Sequence, residues 1–406
     1  MARHFAPKPF LRFTSNAYLE RYFHEGGLLL DVDFSALDEM EVDPIYEAWQ
    51  GLPAADRVRV DDELGNVDEL ATTEGIRTFV GQAAVVAAEL DAVFANAGAL
   101  HDKAILAFLD HPELFFRSLQ FVQTDTLPER NWFKRRDLPE VFPRTDQDTK
   151  TELENNLKYY FTEAEGRGHS CDVECYQRDE FWYYYAYPED YGGALIEWSD
   201  EGRKRSLHRP AFEIVFLVCP NQATLDIYYN GSVKTKRDLQ TLFGRIVLGI
   251  ELHPDRKSEQ LYDLNRLKSR AFQFVFDRPT SGITDVTIHK LRFTGLGGIK
   301  RRVTLEADAA RARFAAYDFL DDVFDSSPQT TAGKAPLPLA AFNVTQAQIR
   351  VKFYPLQGRR TPTRSFNLTY PNGCPLKYDG KDLTIRQMLL QSGLEIPSGS
   401  SPPRLI

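Results

Sequence analysis

Lys290, Arg292, Lys300, Arg301 and Arg302 stand on either side of the turn Gly295-Leu296-Gly297-Gly298, and Arg350, Lys352, Arg359, Arg360 and Arg364 form a second group further along. The chemistry these residue types can do is ionic capture. A guanidinium offers paired donors to an oxyanion and an ammonium acts as a point charge, so both groups suit phosphates or a carboxylate-rich surface. Neutralising phosphates releases condensed counterions, which gives an affinity that depends on salt rather than on base sequence. These residues are the polyanion-binding candidates, and the partner they call for is nucleic acid or an acidic protein surface. The competing readings put both clusters on solvated strand faces, where period-two alternation places charge anyway, or dock them on the acidic part of the same chain.

Other reactive residues are less well grouped. His169, Cys171 and Cys175 lie close together, but a zinc site needs a second ligand pair, which Cys219 and Cys374 supply only if the fold brings them in. His101-Asp102 with Asp110-His111 is the kind of pairing that metal-dependent phosphohydrolases use, yet only His4 and His24 precede it. Asp172 and Glu174 are the best paired carboxylates; a nuclease hairpin also wants a lysine on the same sheet, and the adjacent strands have none. No Walker loop, dinucleotide fingerprint, serine elbow or metalloprotease helix occurs. The expectation is therefore a non-catalytic adaptor or scaffold subunit, with no metal and no cofactor. The alternative is a hydrolytic enzyme of the nuclease or phosphohydrolase class, its site assembled from residues far apart in sequence.

The elements that must carry these residues divide by charge. Residues 1–200 hold 18 Lys+Arg against 39 Asp+Glu, whereas residues 201–406 hold 31 against 19, so the net −9 hides an acidic half and a basic half. That asymmetry points to polyanion binding by the basic half or to acidic and basic faces that meet. Hydrophobic residues make up 43% of the chain, ample for a folded core. No apolar run approaches the roughly 18 residues of a membrane span, and Met1–Phe13 lacks the apolar stretch of a secretory signal. Four cysteines are too few for a disulfide scaffold. A cytoplasmic protein with a protein partner and no membrane association fits best. The Ala-, Asp- and Arg-rich composition suggests a bacterial source, with a defence or mobile-element system as the expected setting.

The fold class expected is α+β: an acidic helical N-terminal domain, then a mixed, mainly antiparallel β-rich region with covering helices. Apolar residues recur at helical spacing through residues 1–125, where 9 basic and 22 acidic residues make the exterior acidic. Residues 126–147 read as a connector. Residues 148–325 read as an α+β domain: a polar helix over about 150–164, then strands at 171–178, 181–187, 194–198, 211–219 and 224–229, a helix over 233–250, a hairpin of 286–293 with 301–306, and a helix over 307–324. Residues 326–343 read as a linker, and 344–406 as a hairpin plus a helix over 383–394. Within 176–191, eight of sixteen residues are aromatic, so both faces of that strand need cover.

Overall fold

The computed structural model describes residues 5–85, 94, 97–128, 131–135, 138–199, 202–252, 261–296, 301–309, 312–324, 338–355, 361–377 and 380–396. The protein is α+β, and its chain forms two compact units: residues 1–127 with 190–210, and residues 128–189 with 211–406.

The first unit is built from α1 (Pro7–Phe13), α2 (Asn16–Glu25), α3 (Asp43–Gln50), α4 (Ala54–Leu70), α5 (Thr73–Val85), α6 (Leu100–Asp110) and α7 (Pro112–Thr126). Pro112 takes the first position of α7, where its missing N–H leaves nothing unpaired, while His111 closes α6. The stretch 100–121, expected to give one or two helices with a bend at Pro112, gives two. Their apolar faces meet around Phe10, Leu19, Phe23, Trp49, Leu64, Phe79 and Phe115, all buried. The unit also holds a ribbon of β4 (Gly193–Ser199) and β5 (Gly202–His208), which pair with each other and with no other strand among the described residues. Sequence reasoning anticipated β4 and missed β5, whose run Arg203-Lys204-Arg205 has no apolar alternation.

The second unit carries two antiparallel sheets. The first has the order β1-β7-β6-β3-β2, from β1 (Trp132–Arg135), β2 (Val173–Arg178), β3 (Phe181–Ala186), β6 (Ile214–Cys219) and β7 (Thr224–Tyr228). Helices α8 (Gln147–Glu165) and α9 (Val233–Phe243) cover it through Leu153, Leu157, Phe161, Leu239 and Phe243. The aromatic strand is β3, flanked on both edges, with Tyr183, Tyr184 and Tyr185 all buried. Residues expected to be a bare connector supply β1, which pairs with β7 from Trp132↔Tyr228 to Arg135↔Leu225. A four-residue edge strand is too short to show a period.

The second sheet, of order β11-β10-β8-β9, is built from β8 (Ile283–Gly295), β9 (Arg302–Glu306), β10 (Phe342–Phe353) and β11 (Thr363–Thr369). Its inner face packs with α10 (Ala315–Phe324) and α11 (Gly380–Gln391) around Leu291, Phe293, Leu320, Ile349, Val351, Ile385 and Met388. Two of the three register irregularities between β8 and β10 decide which side chains face outward. In β10 the buried set runs Phe342, Val344, then Ala347, Ile349, Val351, Phe353, because a register shift between Val344 and Gln346 moves the alternation by one residue. In β8 the shift at His289 does the same between Ile288 and Leu291. Without these shifts one half of the sheet would turn its apolar residues to solvent.

Candidate anion-binding face of the C-terminal sheet

The register of the second sheet places five of the sequence-predicted cations on its outer face. Core pairs Leu305↔Leu291 and Val303↔Phe293 send Arg302, Thr304 and Glu306 outward, opposite Thr294, Arg292 and Lys290. Across β10, Arg292 and Lys290 face Gln346 and Gln348. Beyond the shift at His289, Arg350 and Lys352 face Thr287 and Asp285 on one side and Ser365 and Thr363 on the other. Residues two apart on a strand are separated by about 6.6 Å, so Arg350 and Lys352 are neighbours along β10, with Lys290 one strand over, opposite Gln348. Every outward position along these rows is polar: Thr, Ser, Asn, Gln, His, Lys, Arg, with Asp285 and Glu306 as the acids.

The cations differ in how far the protein already satisfies them. Lys290 Nζ lies 2.8 Å from Glu306, and Lys352 Nζ 4.0 Å from Asp285. Arg292 and Arg302 have no ion-pair partner among the described residues. Arg350 is half-buried, and its Nε is buried without a hydrogen-bond acceptor among them. A buried guanidinium N–H without an acceptor is a standing cost of about 1–3 kcal/mol. His289, within hydrogen-bond reach of Thr287 Oγ1 at 3.3 Å, titrates below its ordinary 6.5. Burial is the larger cause; the neighbouring Arg350 and Lys352 add to it, against Asp308 and Glu306.

Arg364 is placed differently. It pairs with Val351 in the register, which turns it to the inner side, where its Nε and Nη2 donate to Asp382 at 3.1 and 2.9 Å. Asp382 also accepts from the backbone N–H of Lys377 at 3.0 Å, so this pair fastens the start of α11 to the sheet. Arg301 lies exposed before β9, its carbonyl accepting from the N–H of Gly295. Lys300, Arg359 and Arg360 lie outside the described residues.

Several of the other sequence candidates are taken up by structural contacts. Asp102 accepts from the backbone N–H and hydroxyl of Ser15 at 2.8 and 2.9 Å, capping α2. His101 Nε2 is 3.0 Å from Asp68, its ring stacked on Phe13. Asp110 pairs with Arg21. Burial raises the Cys171 thiol to about 12 and also raises that of Cys175, so neither is a thiolate at neutral pH. Among the described residues no group of three His, Cys, Asp or Glu side chains is placed to hold a metal ion. Nor is any helix among them long and apolar enough to cross a membrane.

No protein-family model, curated protein or solved structure matches the chain.

Proposed function

We propose that this protein is a non-catalytic nucleic-acid-binding subunit whose outer C-terminal sheet face holds a phosphate backbone. The observation that carries the reading is Arg350, a half-buried cation whose Nε has no acceptor among the described residues, beside Lys352 and near Lys290 on a face of hydrogen-bonding side chains. An acidic protein surface is the weaker occupant, because interface cores between proteins are apolar and aromatic, and no large apolar side chain points outward along these rows. Interfaces with nucleic acid are more polar and more positively charged. Contacts of this kind position a backbone without reading bases. The adaptor role, with a protein partner and a bacterial defence or mobile-element setting, accompanies this reading as a proposal.

The test is fluorescence anisotropy of labelled oligonucleotides with the double charge reversal Arg350→Glu and Lys352→Glu. Both side chains are partly exposed and outside the apolar core, so the fold survives. Binding at low salt should fall at least tenfold while the melting temperature is kept. Unchanged affinity in the reversed protein would remove this face from the binding site.

A further inference from the structure

Strand β9 pairs only with residues 290–294 of β8, so the stretch from Ile283 to His289 has no neighbouring strand on that side among the described residues. A cavity of about 440 Å³ opens beside it, within the range of small-molecule sites. Its far wall is the segment 270–278, and its third side is the start of α10 with the residues before it. Three arginines line it, Arg270, Arg278 and Arg313, and no acidic residue does. Arg270 is held from behind by Asp318 and Asp321 at 2.9 and 3.4 Å, and Arg313 lies 3.7 Å from Asp285. Arg278 is exposed and has no ion-pair partner among the described residues.

Between the arginines the walls are aromatic: Phe272, Phe274, Phe276, Phe314 and Tyr317. Arg270 and Arg313 lie over the Phe314 ring at 5.2 and 5.9 Å. Tyr317 is 5% exposed, yet its hydroxyl is buried with no hydrogen-bond partner among the described residues. A phenol left in that position calls for a polar atom from outside the protein.

The occupant must therefore bring an anion for the arginines at the rim, a flat apolar body for the rings, and a polar edge for the Tyr317 hydroxyl. A carboxylate or inorganic phosphate meets only the first need. We infer that this cavity binds a nucleoside monophosphate group, its phosphate held by Arg278 and Arg313, its base among the phenylalanine rings and the base edge at Tyr317. The group comes either from a free nucleotide or from the 5′-phosphorylated end of a nucleic-acid strand. The cavity adjoins the outer face described above, since Thr287 lines it and Asp285 is approached by both Arg313 and Lys352.

Calorimetric titration of the full chain with AMP tests it. Saturable binding at one site is expected, at least tenfold tighter than inorganic phosphate. Arg278→Gln, an exposed change, should weaken it at least tenfold; Tyr317→Phe, which keeps the ring, should weaken it severalfold. Arg302→Glu, on the outer face opposite Thr294 and away from the cavity lining, should bind AMP as the unmodified chain does, and loss of AMP binding there would contradict the placement. A 5′-phosphorylated oligonucleotide that binds more tightly than its 5′-hydroxyl counterpart, with the difference lost in Arg278→Gln, assigns the site to strand ends. AMP binding with no such difference assigns it to free nucleotide. Absence of AMP binding at about 1 mM, AMP no tighter than phosphate, or indifference to both substitutions would overturn the inference.

Discussion

Arg350 and His289 share one field, and that gives the outer face a signature in pH. The imidazole titrates below 6.5, because burial disfavours its charged form and Arg350 and Lys352 repel a further proton. A histidine depressed in the folded state subtracts stability only when pH falls through its unfolded value, and leaves it unaffected above. A bound phosphate reverses the neighbourhood: it screens the two cations and accepts from the imidazolium. The bound pKa then exceeds the free one, so binding takes up protons. Oligonucleotide affinity should rise as pH is lowered from about 7.5 to 6, and His289→Gln should flatten that rise. A second residue-scale expectation concerns Tyr184, buried in β3 with its hydroxyl donating to the Arg144 carbonyl at 2.7 Å. Tyr184→Ala should lower unfolding free energy by about 3–5 kcal/mol, measured by urea denaturation; a change within error would show the aromatic strand to be dispensable. The catalytic pairs suggested by His101-Asp102 and Asp110-His111 were visible only as residue types. Nothing in one dimension says that Asp102 caps α2 or that Arg21 waits for Asp110.

Among elements, the strands of the second sheet were the most legible, because Phe366/Leu368 and Ile349/Val351/Phe353 alternate cleanly and the glycine turn separates β8 from β9. Residue type grouped Arg364 with Arg350 and Lys352, but it shares the parity of Phe366 and Leu368, so alternation alone turns it inward, where it lies opposite Val351 and is taken by Asp382. The register shifts at Val344/Gln346 and at His289 were hidden, since each is a single extra residue whose effect shows only once the partner strand is known. β1 and β5 were too short or too uniformly charged to announce themselves. Two element-scale outcomes follow. Asp382→Ala leaves the Arg364 guanidinium and the Lys377 N–H without their acceptor, and should destabilise the protein by about 1–3 kcal/mol without altering nucleic-acid binding. On the β4–β5 ribbon, Ile196 and Leu207 are 70% and 88% exposed. Replacing both with Thr should change stability by no more than about 0.5 kcal/mol, and a larger loss would mean that the ribbon is covered.

At the scale of the whole molecule, the division of charge seen in sequence is the coarsest feature and the one that organises the account. The basic half supplies the sheet whose outer face collects Lys290, Arg292, Arg302, Arg350 and Lys352. If that face holds a phosphate backbone, the dominant free energy is counterion release, and it scales with the number of phosphates engaged. The most direct measurement is the affinity of the full chain for a single-stranded oligonucleotide, followed by anisotropy as salt is raised from about 50 to 200 mM. Three to five engaged phosphates predict a linear fall of log K against log salt with a slope of roughly −2 to −3.5, made shallower by about 0.7 when Arg350 is replaced by Gln. Absence of binding at the lowest salt, or a slope that ignores Arg350, would contradict the account.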